Sequence, residues 1–179
     1  SEMPYVRPDL AAFQAKAEAA AQKIAQASSA QEQIKAVLAF DQVQAEVNTA
    51  MSLAYVRHTI DTRDEFYDQE NDYADEIAPA VQEAEQKVSR ALLASPFRAE
   101  LSECFGEILF TNLEIAVRTF DPKNMALMQE ENKLQSEYQK LYASAMVEWN
   151  GEMLPLPKLG PYKQSPDRAV RKAAYEAEG

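Results

Sequence analysis

The side chains that could do chemistry are few and sit in the middle of the chain. Between Asp61 and Gln86 stand ten carboxylates: Asp61, Asp64, Glu65, Asp68, Glu70, Asp72, Asp75, Glu76, Glu83 and Glu85. Arg63 is the one basic residue among them. Carboxylates at helical spacing can bind hard cations. A di-iron bundle, however, takes a Glu-x-x-His from each of two helices, and a calcium loop takes a glycine at its centre. The stretch has neither. It therefore reads as a solvated acidic helix face, with a carboxylate-based metal store as the weaker reading.

His58 is the single imidazole of the chain. As a general base it would need an orienting carboxylate or a nucleophile within hydrogen-bond reach, and Asp61 and Asp64 are the nearest carboxylates in sequence. It falls on an apolar stripe, so we expect a partly buried histidine with its hydrogen bonds satisfied. It cannot by itself make a zinc site, which takes four ligands. Cys104 is the single thiol. With no second cysteine and no nearby histidine to activate it, we expect it to pack. A lone cysteine also excludes an internal disulfide and fits a reducing compartment. No residue is assigned a catalytic or metal-binding role, and the substrate-binding residues stay unassigned. There is no glycine-rich loop for a nucleotide.

The elements that must position these residues are helices. Four glycines in 179 residues is far below the usual ~7%, and alanine, glutamate, glutamine and lysine are plentiful. Pro8 reads as a first-turn residue and Asp9 as a complement to the helix dipole. Leu10, Phe13, Ala17, Ala20, Ile24 and Ala27 then form one stripe. Ser28 and Ser29 break it, and Ser29 with Glu32 reads as a capping box. Val37, Phe40, Gln44, Val47, Met51, Ala54 and His58 form a second stripe, in one helix or two, ending near Ile60 to Arg63. From about Asp64 to Ala94 the spacing of Phe66, Tyr73, Ile77, Val81, Ala84, Val88 and Ala91 predicts a long helix with a coiled-coil-like seam, kinked by Pro79.

Ser95-Pro96 predicts the cap and first turn of a short helix ending at Phe105-Gly106. A helix over Ile108 to Arg118 follows. Asp121-Pro122 opens another, which runs to about Tyr142 through Met125, Met128, Leu134, Tyr138 and Leu141. The period then changes to two around Ala145, Val147 and Trp149. Asn150-Gly151 is the strongest short hairpin signal, with Glu152 to Leu156 as the return strand. Pro155 to Pro161 reads as a loop, and Ser165-Pro166-Asp167 caps a last helix from Pro166 to Glu178 whose apolar side holds Val170, Ala173 and Ala174. The fold class is thus all-α: a multi-helix bundle with a long kinked helix and one small β-hairpin near residues 145–156. Residues 1–144 make the helical domain. Residues 145–179 supply the hairpin, a loop and the start of a helix leading onward.

Charge removes several partners. Eighteen basic against 29 acidic residues give a net charge of −11, which repels phosphate backbones and anionic membrane surfaces. We expect no nucleic acid and no membrane partner, since no run reaches the length of a spanning helix and Ser1 to Asp9 lack a signal layout. Lys158, Lys163, Arg168, Arg171 and Lys172 make a small basic cluster beside Asp167, read as charge pairing within the protein. Tyr5, Tyr55, Tyr67, Tyr73 and Tyr162 could touch a peptide but read mostly as core or rim. The chain starts at serine and stops inside a helix, so we expect a processed chain or one excised from something longer.

Five segments together resemble a known family: Met3-Pro-Tyr-Val-Arg-Pro-Asp9, Arg57-His-Thr-Ile-Asp-Thr-Arg-Asp-Glu-Phe-Tyr67, Ser95-Pro-Phe-Arg98, Leu134-Gln-Ser-Glu-Tyr-Gln-Lys-Leu141 and Leu159-Gly-Pro-Tyr-Lys-Gln-Ser-Pro-Asp-Arg168. In this order they resemble the N-terminal region of oligoendopeptidase F-like zinc metallopeptidases, relatives of thimet oligopeptidase. The resemblance implies a cytoplasmic parent enzyme that hydrolyses short peptides. Its zinc is held by the two histidines of H-E-x-x-H and a downstream glutamate, and the glutamate inside the motif serves as general base. The helical N-terminal region walls the channel. This sequence has no H-E-x-x-H. The expectation is a non-catalytic piece, inactive alone and without a cofactor of its own. Its partners would be the C-terminal catalytic domain of the same protein and short peptides. An apolar patch normally covered by that domain would let the isolated piece form a homodimer. The alternative is a stand-alone helical protein-interaction adaptor.

Overall fold

The computed structural model describes residues 3–179; Ser1 and Glu2 lie outside the described residues. Eight α-helices and one hairpin follow in order: α1 (Leu10–Gln26), α2 (Ala30–Ile60), α3 (Glu65–Leu93), α4 (Arg98–Phe105), α5 (Glu107–Thr119), α6 (Met125–Ser144), β1 (Met146–Trp149), β2 (Glu152–Pro155), α7 (Gly160–Lys163) and α8 (Arg168–Glu178). Residues 3–9 lie ahead of α1 and belong to neither helix nor strand. The chain divides into two compact units, Ser1–Asn132 and Lys133–Gly179.

In the first unit α1 packs against α2 and α3. Phe13, Ala17, Ala20 and Ile24 are the buried face of α1. They meet Phe40 of α2 and Ile77, Val81, Ala84, Val88 and Leu92 of α3, with Leu101 and Phe110 closing the end. The Phe13 and Phe40 rings lie 5.7 Å apart. Alanines at two of the four α1 contacts let the helices approach closely while the phenylalanines fill the space between.

The caps correct several readings in detail. Asp9, not Pro8, starts α1: its carboxylate accepts from Ala12 N at 2.9 Å and satisfies an otherwise orphan donor. Ser29 caps α2 by accepting from Glu32 N. The reciprocal bond goes elsewhere, since Glu32 accepts from the amide and hydroxyl of Ser28. α2 is a single helix of 31 residues. α3 runs through Pro79, which is buried and does not stop it. Ser95-Pro96 does not begin α4. Ser95 Oγ accepts from Phe97 N in a turn, and the helix starts at Arg98. Gly106, at φ 86°, ends α4 and begins α5, a left-handed conformation that glycine adopts without cost.

Gln33 ties these turns together. It is 1% exposed. Its Nε2 donates to the Ile24 carbonyl at 2.7 Å, and its Oε1 accepts from Ser95 Oγ at 2.5 Å. One amide thus satisfies a terminal carbonyl of α1 and anchors the α3–α4 turn.

The second unit is built on the hairpin. β1 and β2 pair antiparallel with Trp149 opposite Glu152 and Met146 opposite Pro155. Asn150 and Gly151 have φ of 52° and 83°, the positive values a type I′ turn requires. Val147, Trp149 and Leu154 face a small core with Leu159 and Ala174. Pro155 to Pro161 is not a loop. Leu156–Leu159 forms a 3-10 turn and runs into α7. α8 is capped by Asp167 and begins two residues later than read. Ala174 is its buried residue, whereas Ala173 is exposed. Three of the five basic residues are engaged within this unit: Lys163 bonds Glu178 at 2.6 Å, Lys172 approaches Glu176 at 3.5 Å, and Arg171 donates to the carbonyls of Ser165 and Pro166.

Candidate functional site

Several titratable residues of the first unit meet where the N-terminal segment, residues 3–9, lies against α2 and α3. Glu70 is the centre. It belongs to the acidic stretch read as a solvated face, yet it is 3% exposed. A carboxylate is buried only when donors replace water. Tyr5 OH donates to its Oε2 at 2.6 Å, Arg7 Nε donates to the same oxygen at 2.8 Å, and Arg7 Nη2 donates to Oε1. The Arg7 hydrogen bonds hold the Glu70 carboxyl below its ordinary range, against the opposing effect of burial. Burial, reinforced by the Glu70 carboxylate, pushes the Tyr5 hydroxyl far up, so the phenol stays a donor. Tyr73 OH donates to the Pro8 carbonyl at 2.9 Å, and the Arg7 guanidinium lies 4.7 Å over the Tyr73 ring.

A second set of contacts continues this clasp. Arg57 donates to the Met3 carbonyl and to Tyr67 OH. The Tyr5 ring stands edge-on to Phe66 and Tyr67 at 6.0 and 5.8 Å. Phe66 is therefore part of this aromatic surface, not of the α3 seam where the heptad spacing put it, and it is exposed. His58 lies beneath, 1% exposed, with Nδ1 3.5 Å from Asp68 Oδ1. It is fully rather than partly buried, its carboxylate neighbour is Asp68 instead of Asp61 or Asp64, and the expected satisfaction of its hydrogen bonds fails at Nδ1, which has no hydrogen-bond partner among the described residues. Asp64 caps α3, and Asp61 pairs with Arg63.

The rest of the acidic stretch is also only partly solvated. Glu85 is half-buried and accepts from Gln44 Nε2 at 2.8 Å; burial raises its carboxyl. Cys104, expected to pack, is exposed on α4. Among the described residues no three His, Cys, Asp or Glu side chains are arranged to hold a metal ion. No helix among them is long and apolar enough to cross a membrane. Of the five tyrosines, Tyr5, Tyr67 and Tyr73 belong to the clasp. Tyr55 is exposed, and Tyr162 lies 5.0 Å from Trp149.

Concavity is found along α1 and α2. A trough of about 660 Å3 is lined by Ala20, Ala36, Ala39, Phe40 and Val43, with Lys16, Lys23 and Lys35 among its polar residues. A neighbouring hollow of about 440 Å3 shares Lys16 and Val43 and reaches Val6 and Pro8 of the N-terminal segment. Both are open surfaces, and the second is also lined by the carboxylates of Asp9 and Glu46.

Sequence reasoning missed Glu70, Arg7 and Tyr5 as a cluster, because the partners lie 63 and 65 residues apart and no local pattern joins them. The one signal was indirect: Met3 to Asp9 and Arg57 to Tyr67, two segments that carry the family resemblance, are the ones that meet here.

Residues 1–120 match the Peptidase M3 N-terminal domain. Pz peptidase A, solved with an inhibitor, is 42% identical and superposes with a TM-score of 0.91 over 99% of this chain and 32% of its own. A chain described as an oligoendopeptidase F, from crystals grown by microfluidic seeding, is also 42% identical, with a TM-score of 0.91 over 99% of this chain and 31% of its own. Another so described, from Bacillus anthracis strain Ames, is 36% identical, with a TM-score of 0.90 over 99% of this chain and 32% of its own. No curated protein matches. This chain spans about a third of the length of each of these structures, and it belongs to the M3 peptidase N-terminal domain family.

Proposed function

We propose that this chain is the non-catalytic N-terminal helical region of a zinc-dependent oligopeptidase, a metalloendopeptidase, and forms one wall of the channel that restricts access to short peptides. The observation carrying the reading is the asymmetry of the match: 99% of this chain superposes on 32% of Pz peptidase A. Residues 1–144 supply the helical wall, and residues 145–179 lead into a catalytic domain. That domain and short peptides are the partners, in the cytoplasm.

The family implies zinc, and the donors of this chain do not fit it. Zinc in a peptidase takes three protein ligands and leaves one position for water. Here the single imidazole is sealed in the core against Asp68, and the single thiol is exposed on α4. No step of peptide hydrolysis is routed through these residues. Their contribution is mechanical. The Glu70 clasp fixes the N-terminal segment to α2 and α3, and the Phe13–Phe110 core keeps the wall rigid.

The test uses the longer polypeptide encoded by the gene. Quenched fluorogenic peptides of rising length are assayed beside a folded protein substrate carrying the same cleavage sequence. The proposal expects cleavage that falls off with length and spares the folded substrate. Equal cleavage of the folded substrate would overturn the channel role.

A further inference from the structure

The concavity along α1 and α2 is longer than either hollow alone. The larger hollow, about 660 Å3, and the second, about 440 Å3, share Lys16 and Val43. A third, about 360 Å3, shares Val6, Glu46 and Ala50 with the second and reaches Leu53. Together they make one trough that lies wholly within the first unit. α2 lines it from Glu32 to Leu53, about 32 Å at 1.5 Å per residue. An extended peptide of about ten residues spans that length at about 3.3 Å per residue. α2 lacks cover on this side. Gln33, Phe40, Ala54 and His58 are the buried ones of its 31 residues, while Ala36, Ala39 and Val43 leave apolar surface in the trough. A helix apolar beyond one stripe needs cover beyond one neighbour.

The charge of the trough runs against that of the chain. The whole carries −11, yet the larger hollow is lined by Lys16, Lys23 and Lys35 against the single carboxylate of Glu32. Glu32 is held by the amide and hydroxyl of Ser28. Lys87, Lys163 and Lys172 each have an acidic partner within 4 Å. Lys16, Lys23 and Lys35 form no such pair among the described residues, and all three are exposed. Lys16 and Lys23 stand two turns apart on α1, about 10 Å. Cations spread over that distance match several carboxylates along a chain better than one terminal carboxylate.

We infer that this trough binds an acidic peptide of about ten residues, its carboxylate side chains over Lys16, Lys23 and Lys35 and its apolar side chains on Ala36, Ala39 and Val43. Asp9 and Glu46 line the second hollow, so the acidic half of the peptide lies over the larger one. The inference rests on the reading above, that the chain belongs to a peptidase acting on short peptides, and names which of them this unit selects.

Isothermal titration calorimetry on this chain tests it, with two decapeptides of alanine and leucine whose ends are blocked. One carries three glutamates in its first half and the other three glutamines. The glutamate peptide should bind at least about tenfold more tightly, the combined effect of three exposed ion pairs, and the difference should shrink as salt is added. The triple variant Lys16→Gln, Lys23→Gln, Lys35→Gln should erase the difference. The triple variant Lys123→Gln, Lys133→Gln, Lys158→Gln makes the same change in net charge at exposed positions outside the trough and should keep it. Ala39→Trp fills the trough from an exposed position and should weaken both peptides. The melting temperature should hold in all three variants. Equal binding of the two peptides would overturn the inference. So would equal weakening by the two triple variants, which would mark a net-charge effect, or binding that survives Ala39→Trp. Self-association of this chain that the first triple variant abolishes would make a second copy the occupant. The longer polypeptide should bind the glutamate peptide as this chain does, and loss of binding there would show the trough covered by the rest of the chain; either result would overturn the inference. Failure here is separable from failure of the functional reading. Size-limited cleavage without peptide selection sinks the trough alone, and selection by this chain without size-limited cleavage sinks the channel role alone.

Discussion

Replacing Glu70 by Gln is the sharpest perturbation of the clasp. The amide keeps the shape of the side chain and removes its charge. Glu70 is 3% exposed and accepts from Tyr5 at 2.6 Å and from Arg7 Nε at 2.8 Å. A hydrogen bond to a charged group contributes about 1.5–3 kcal/mol and a neutral one about 0.5–1.5. Arg7 is 52% exposed, so solvent screens its share, and the loss should come mainly from the Tyr5 bond and from burying an amide beside a cation. The expected destabilisation is about 2 kcal/mol, or roughly 4–8 °C in melting temperature for a chain of this size. Circular dichroism melting at several pH values measures it. The Glu70 carboxyl sits below its ordinary value of 4.5 in the folded protein, chiefly through Arg7. Its contribution is therefore complete above pH 4.5 and is lost as pH falls through the lowered folded value. The gap between parent and variant should be full at pH 7 and should close on acidification below 4.5. A gap of equal size at pH 7 and pH 3, or no gap at pH 7, would refute the assignment of Glu70 as the ionised centre of the clasp.

Other outcomes follow from the two cores. Phe110→Ala should cost about 3–5 kcal/mol, because the ring is wholly buried and lies under the Arg98 guanidinium at 4.8 Å; a urea titration would show a lower midpoint at an unchanged slope. Gly151→Val should cost about 1–2 kcal/mol by backbone strain. A Cβ there meets nothing within 4 Å, whereas φ is 83°. Trp149 is the only tryptophan and lies in the hairpin, so its fluorescence reports that loss in the second unit directly. Chelators should leave the melting temperature of this chain unmoved, because among the described residues no three His, Cys, Asp or Glu side chains are arranged to hold an ion whose binding would add to folding.

The parts of the fold legible in the sequence are those written in local chemistry. Ser29 as the cap of α2, the Asn150-Gly151 turn and the Phe13–Ile24 stripe depend on residues within a turn or two of one another, and each stands where its spacing put it. The parts that were not legible depend on distant partners. Glu70 lies in a run of acids that looks solvated, and only an arginine and a tyrosine more than 60 residues earlier explain its burial. Cys104 looks like a small packing residue, but α4 turns Leu101 and Ser102 inward and leaves the thiol outside. Pro155 to Pro161 reads as a loop on composition, yet Leu159 is wholly buried against Trp149 and Ala174 and winds the segment into short helical turns. Ser95 resembles a cap because Pro96 follows it. Its hydroxyl accepts from Phe97 N in a turn ahead of the helix and donates to Gln33, 62 residues away.

The central claim is that this polypeptide shapes access to a reaction it does not itself perform. Hydrolysis of a quenched fluorogenic peptide by the pure, sequence-verified 179-residue chain, with zinc supplied, tests it most directly. The account predicts no cleavage by this chain and chelator-sensitive cleavage by the longer polypeptide. Turnover by the 179-residue chain alone would contradict it.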